Sequence, residues 1–128
     1  MAKTLVQYIV VRGDLNWPVG ALIGNSCHAS VAAIVSNLSS SSSTAANTAA
    51  DADNDTVEYI KQLDSMTKVV LKADSELELR QCCQKLDENN VKYYLWTEQP
   101  ENIVTCLATI PKPRAVLKPL LSHLKLFK

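Results

Sequence analysis

Residues Leu5 to Arg12, LVQYIVVR, are branched, aromatic and nearly continuously apolar, and they lead within a few residues into a long helical stretch, Trp17 to Leu38. A strand of that composition suits coverage on both faces, which places it at the centre of a sheet. Gly13, Asp14 and Asn16 supply turn chemistry between the two elements, and Pro18 stands near the helix start. On a helical wheel Ala21, Asn25, His28 and Ala32 form one stripe, while Ile23, Cys27, Ile34 and Leu38 lie towards another. One face packs and the other presents polar atoms. The small residues Gly20, Ala21, Gly24, Ser26 and Ala29 let other backbone approach closely, as a ligand-facing or tightly packed helix requires.

After Leu38 the chain becomes SSSSSTAANTAADADND, in which serine, alanine and short acids replace anything that buries area against chain entropy. Residues 39–54 therefore read as a mobile low-complexity insertion in a single domain spanning 1–128. Helical spacing returns over Thr56 to Leu63, and Thr67 to Ala73 reads as a second strand. Asp74 or Ser75 caps a helix running to Asn89-Asn90, with Leu77, Leu79, Cys82, Cys83 and Leu86 on its apolar side. Val91 to Thr97 and Ile103 to Ile110 are two further strands, close enough for an antiparallel hairpin around the turn Glu98 to Asn102. Pro111 and Pro113 punctuate the last strand, and Arg114 to His123 forms a last helix that Pro119 kinks or bounds. This order predicts an α/β fold of three layers, a four-stranded mixed sheet with helices on both faces.

Thirteen basic residues balance thirteen acidic ones, so net charge selects no class of partner. The distribution is uneven: Met1 to Ser65 carries −3 and Met66 to Lys128 carries +3, and the run from Lys112 onwards holds Lys112, Arg114, Lys118, Lys125 and Lys128 without an acid. A basic edge is expected there. Nothing near Met1 resembles a signal peptide and no apolar stretch approaches bilayer length, which predicts a soluble, cytoplasmic protein without a membrane partner. Cys27, Cys82, Cys83 and Cys106 lack metal-site spacing and read as reduced thiols.

Four stretches together, QYIVVRGDL, GALIGNSCHA, KVVLKA and VTCLATIPKP followed by LSHLKLFK, resemble the type II peptidyl-tRNA hydrolase family over nearly the whole chain. The combination WPVGAL, CHA, LWTEQPENIVTC and a Leu-Phe-Lys end resembles most closely its divergent peptidyl-tRNA hydrolase domain-containing branch. The resemblance implies a four-stranded mixed sheet, a homodimer, no metal or organic cofactor, and hydrolysis of the ester joining a peptide to the end of a tRNA. It carries over His28 and Thr105 by identity and Asn25 and Glu98 by similarity. The family's active-site lysine falls on Ala21.

Ester hydrolysis needs an activated water, a donor for the developing oxyanion and a grip on the tRNA end. Glu98 suits orienting or deprotonating a water, against the reading of an exposed turn acid. Asn25 and amides at the helix start suit the oxyanion. His28 is a general base, an orienting group or the occupant of a polar niche, and the hydroxyl of Thr105 either faces a cleft or is buried and satisfied. Trp17 and Trp96 stack on a terminal base or simply pack. Lys112, Arg114 and Lys118 contact phosphates or form a solvated face. Two functions follow: a peptidyl-tRNA hydrolase-like enzyme, or an adaptor that kept the fold and binds tRNA or protein without turnover.

Overall fold

The computed structural model describes residues 4–39 and 54–128. The expected insertion, apart from its first and last residues, lies outside them. Strand β1 (Leu5–Arg12) is buried from Leu5 to Val11, as its two-sided apolar pattern requires. It is flanked by β2 (Thr67–Ala73), parallel to it, and by β4 (Ile103–Thr109), antiparallel. Strand β3 (Tyr93–Glu98) pairs with β4 as the expected hairpin.

The sheet has six strands rather than four. The additions are short: β5 (Lys112–Pro113) pairs with the start of β1, and β6 (Lys125–Leu126) pairs with β2 beyond it. Strand order is β3-β4-β1-β2-β6, with β5 resuming the β4 side of β1 after Pro111. Two-residue pairings have no periodicity of their own, so only the chain's return to the sheet creates them.

Helices cover both faces. On one, α1 (Val19–Ser39) packs Ala29 and Ala33 on Ile9, Val11, Cys106 and Ala108. On the other, α3 (Glu76–Glu88) and α4 (Arg114–Leu121) enclose the larger core of Val6, Tyr8, Val10, Leu79, Leu86 and Leu117. Helix α2 (Asn54–Ile60) ends before a 3-10 turn at Leu63–Ser65. The α3 cap is reciprocal: Ser75 Oγ accepts from Glu78 N at 3.1 Å, and Glu78 Oε1 accepts from Asp74 N at 2.7 Å.

One sequence reading needs correction. Val19–Leu38 does reach bilayer length, 20 residues with a mean hydropathy of 1.4 over an 18-residue window, because it holds no Asp, Glu, Lys or Arg. Asn25, Ser30 and Asn37 are nevertheless buried where the helix meets the protein, and their side chains are hydrogen-bonded there.

Candidate functional site around the start of α1

Arg12 ends β1 and ties three elements together. Its guanidinium donates to both Asp14 oxygens, Nε to Oδ1 at 3.0 Å and Nη2 to Oδ2 at 2.9 Å, and Nη1 donates to the Val104 carbonyl at 3.0 Å. Glu76 Oε1 lies 3.5 Å from Nη1. The fork geometry of arginine fits this planar, two-point grip. The Asp14 hydrogen bond raises Arg12 above its ordinary value and, reciprocally, Arg12 lowers Asp14. The turn that launches α1 is thereby fastened to β4. Asn16 takes a left-handed conformation in that turn, φ 56°, which asparagine tolerates.

Asn25 and Thr105 meet inside the protein. Thr105 Oγ1 donates to Asn25 Oδ1 at 2.9 Å, and Asn25 Nδ2 donates to the Ala21 carbonyl at 2.7 Å. Asn25 is 3% exposed and Thr105 fully buried, so the threonine belongs to the satisfied alternative and not to an open cleft. The register explains how it gets there. Trp96 pairs with Cys106 but Thr97 with Val104, leaving Thr105 as an extra residue between them. A bulge of this kind breaks strict alternation. Thr105 and its neighbour Cys106 can then both turn to α1, where Cys106 Sγ donates to the Asn25 carbonyl at 3.4 Å. Burial above all pushes the Cys106 thiol up to about 11, so it is a packed, protonated group.

The solvent-facing groups lie beside this brace. The rings of His28, an exposed residue, and Trp96 stack at 4.7 Å between centroids and 14° between planes. Trp96 Nε1 donates to Glu98 Oε1 at 3.0 Å. Among the described residues, Glu98 Oε2 and both ring nitrogens of His28 have no hydrogen-bond partner in the protein. The Glu98 charge also contributes to raising Cys106, which puts the carboxylate within electrostatic range of the Asn25–Thr105 pair. One face of Trp96 is occupied by His28, and Tyr94 lies tilted at 6.2 Å. The hairpin turn places Asn102 at φ 59°, its N–H bonded to the Glu98 carbonyl at 2.8 Å.

His28, Asn25, Glu98 and Thr105 thus come together, with Trp96 between the two ionisable groups. Lys112, Arg114 and Lys118 do not join them. Lys112 pairs with Val6, and Arg114 N donates to Thr4 O at 3.0 Å, at the opposite end of β1 from Arg12. The separation from Val11 to Val6 is about 17 Å of strand. The Lys112 ammonium lies 3.5 Å from Asp55. Arg12 was hidden from sequence reasoning because a charged residue at a strand end resembles any solvated terminus. Its spacing from Asp14, two residues on, was the available signal.

The sequence pattern of the peptidyl-tRNA hydrolase PTH2 family matches residues 5–127. "Putative peptidyl-tRNA hydrolase PTRHD1" of Homo sapiens is 38% identical over 131 aligned residues, covering 98% of this chain and 84% of that protein. "Probable peptidyl-tRNA hydrolase 2" of Dictyostelium discoideum is 30% identical over 128 residues, 94% of this chain and 54% of that one. Among solved structures, a protein of unknown function from Agrobacterium, Atu0240, shares the fold at TM-score 0.55 and 12% identity, over 99% of this chain and 100% of that chain. With a match across both core clusters and the whole site, the chain belongs to the peptidyl-tRNA hydrolase PTH2 family.

Proposed function

We propose that this protein cleaves the ester between a peptidyl, or N-blocked aminoacyl, group and tRNA at the His28–Trp96–Glu98 line. The observation that carries the reading is the pairing of an unoccupied carboxylate oxygen on Glu98 with unoccupied ring nitrogens on His28, held by one indole. Glu98 takes a proton from water as the water oxygen attacks the ester carbonyl carbon. His28 hydrogen-bonds the ribose oxygen as the carbon–oxygen bond breaks, and the proton that Glu98 took from the water passes to that oxygen, leaving the carboxylate free again. Asn25 and Thr105 are positioning residues that lock α1 to the β4 bulge. The reading carries a cytosolic location with it, where peptidyl-tRNA arises in translation.

Single-turnover cleavage of a purified peptidyl-tRNA tests this. Glu98→Gln should slow the chemical step by about 10² or more, in the range of a lost general base. Thr105→Val should destabilise the fold by about 1–3 kcal/mol by orphaning Asn25 Oδ1, and should slow cleavage less than Glu98→Gln. Wild-type rates in Glu98→Gln would move the base elsewhere. A second reading, an adaptor that binds tRNA or protein without turnover, rests on the resemblance, which aligns Ala21 with the family's active-site lysine. Absent cleavage with tRNA binding intact would select it.

We also propose a homodimer through α1. Val19, Ile23, Val31 and Val35 are 68%, 59%, 60% and 51% exposed and fall on one ridge of four-residue spacing. Beside it runs an apolar cavity of about 410 Å³ between α1 and Val70 and Phe127, on the other flank of the helix from Glu98. A ridge and a groove on one surface are self-complementary, which a two-fold interface requires. Ile23→Glu with Val31→Glu should halve the mass measured by sedimentation equilibrium. An unchanged mass would place the interface elsewhere.

A further inference from the structure

Two lysines face each other at the site end of the sheet. Lys72 pairs with Val11 in β1 and with Lys125 in β6. Cross-strand partners project from the same face, and Val11 packs on the α1 side, so both lysines project there. Like charges directly opposite each other destabilise a strand pair. Lys128 lines the same 380 Å³ cavity as Lys72 and Lys125. Among the described residues, none of the three has a carboxylate within ion-pair distance. The neighbouring acids are Asp74 and Glu78, and Glu78 is engaged with the Asp74 amide.

Lys72 is also seated by the backbone. A Cβ on Gly13 would stand 2.5 Å from Lys72 Cδ, so a side chain at residue 13 would push the lysine stem off the turn that launches α1. The chain therefore keeps three unpaired ammonium groups together at a cost in strand stability, on the side and end of the sheet that hold Thr105 and His28. From β3, which ends in Glu98, to β6 is four strand spacings, about 19 Å at ~4.8 Å each. A stacked nucleic-acid strand crosses that distance in about five to six nucleotides at ~3.4 Å each.

We infer that Lys72, Lys125 and Lys128 grip the phosphodiester backbone of the tRNA about five to six nucleotides from the acylated end held at Glu98. The inference rests on the hydrolase reading and adds the track by which the RNA approaches. Ammonium groups on flexible stems read charge and not sequence, so the grip is indifferent to base identity. Lysines on an edge strand also deter edge-to-edge pairing. That role predicts aggregation on their removal, without a change in the salt dependence of RNA binding.

The test compares Lys72→Gln/Lys125→Gln/Lys128→Gln with Lys112→Gln/Arg114→Gln/Lys118→Gln and wild type, measuring tRNA affinity between 50 and 200 mM salt. Three lost phosphate contacts lower the slope of log affinity on log salt by about two to three. Over that range wild type should lose about 20- to 40-fold more affinity than the first variant. Its cleavage of an N-blocked aminoacyl-adenosine, which has no phosphates, should match wild type. Lys125→Thr alone should raise the melting temperature while weakening tRNA binding, which a purely structural lysine would not do. A wild-type salt slope in the first variant, or loss confined to the second, overturns the inference. Failure of wild type to bind tRNA or cleave either substrate overturns the hydrolase reading as well, and so separates the two.

Discussion

Ala21→Lys is expected to raise the single-turnover rate of peptidyl-tRNA cleavage at least about tenfold. Ala21 lies in the first turn of α1, half-buried, and its carbonyl receives the Asn25 amide at 2.7 Å. It precedes Asn25 by one turn and His28 by two, on the stripe that runs along the site. An ammonium there stands near the ester carbonyl as negative charge develops on it. A preorganised donor of this kind is worth about 10² to 10³ in rate, roughly 2.7 to 4 kcal/mol, so recovering between a third and a half of it meets the tenfold threshold. The substitution has a cost, because a cation at a helix N-terminus opposes the macrodipole by about 0.3–1 kcal/mol. A modest fall in melting temperature alongside faster cleavage is therefore the expected pair of results. Faster cleavage that persists in Ala21→Lys combined with Glu98→Gln would show that the ammonium acts without Glu98, and would sink the assignment of the base. No cleavage by either wild type or Ala21→Lys, with both folded, leaves the adaptor.

Gln7→Leu is expected to be the most destabilising conservative-volume change in the protein. Gln7 is fully buried in the middle of the sheet. Its Nε2 donates to Ser30 O at 3.1 Å and Thr109 O at 3.0 Å, and its Oε1 accepts from Ser30 Oγ and Lys68 Nζ, each at 2.6 Å. Lys68 also reaches Tyr59 OH at 3.3 Å, and partial burial holds it below its ordinary value. Thr109 Oγ1 accepts from Tyr8 N at 3.2 Å in the same patch. One amide thus joins β1, α1, β2 and β4, with every buried side-chain polar atom among the described residues satisfied. Leucine would orphan the Ser30 hydroxyl and remove donors from two carbonyls, each orphan costing about 1–3 kcal/mol. A total near 3 kcal/mol lowers the melting temperature by roughly 10 °C for a domain of this size. Gln7→Glu should be at least as damaging, because its second oxygen would face the two carbonyls that Nε2 now serves. A loss below about 1 kcal/mol in Gln7→Leu would mean that water or a shifted Ser30 replaces the network.

Local chemistry sufficed for the parts of this protein that repeat or punctuate. The continuous apolarity of Leu5 to Val11 placed the central strand, the Ser75 cap and periodic leucines placed α3, and the turn at Glu98 to Asn102 placed the hairpin. The family resemblance likewise pointed to His28, Asn25, Glu98 and Thr105, which do converge. What each does there was not legible. Strict alternation, the only rule available for a strand, cannot foresee that a one-residue bulge turns Thr105 towards Asn25, because the bulge exists only in the pairing with β3. Trp96 becomes the link between His28 and Glu98 only when α1 crosses that hairpin.

Charge was the least legible. Lys112 and Arg114 are close in sequence and sit by the start of β1, whereas Lys72 and Lys125 are distant in sequence and face each other at its end. Sequence by itself determined which segments bury their surfaces, since that depends on composition and period within each segment. Tertiary structure alone decided which polar groups meet, because hydrogen bonds and charge pairs form at contact distance and the returns of β4, β5 and β6 to the sheet set those distances.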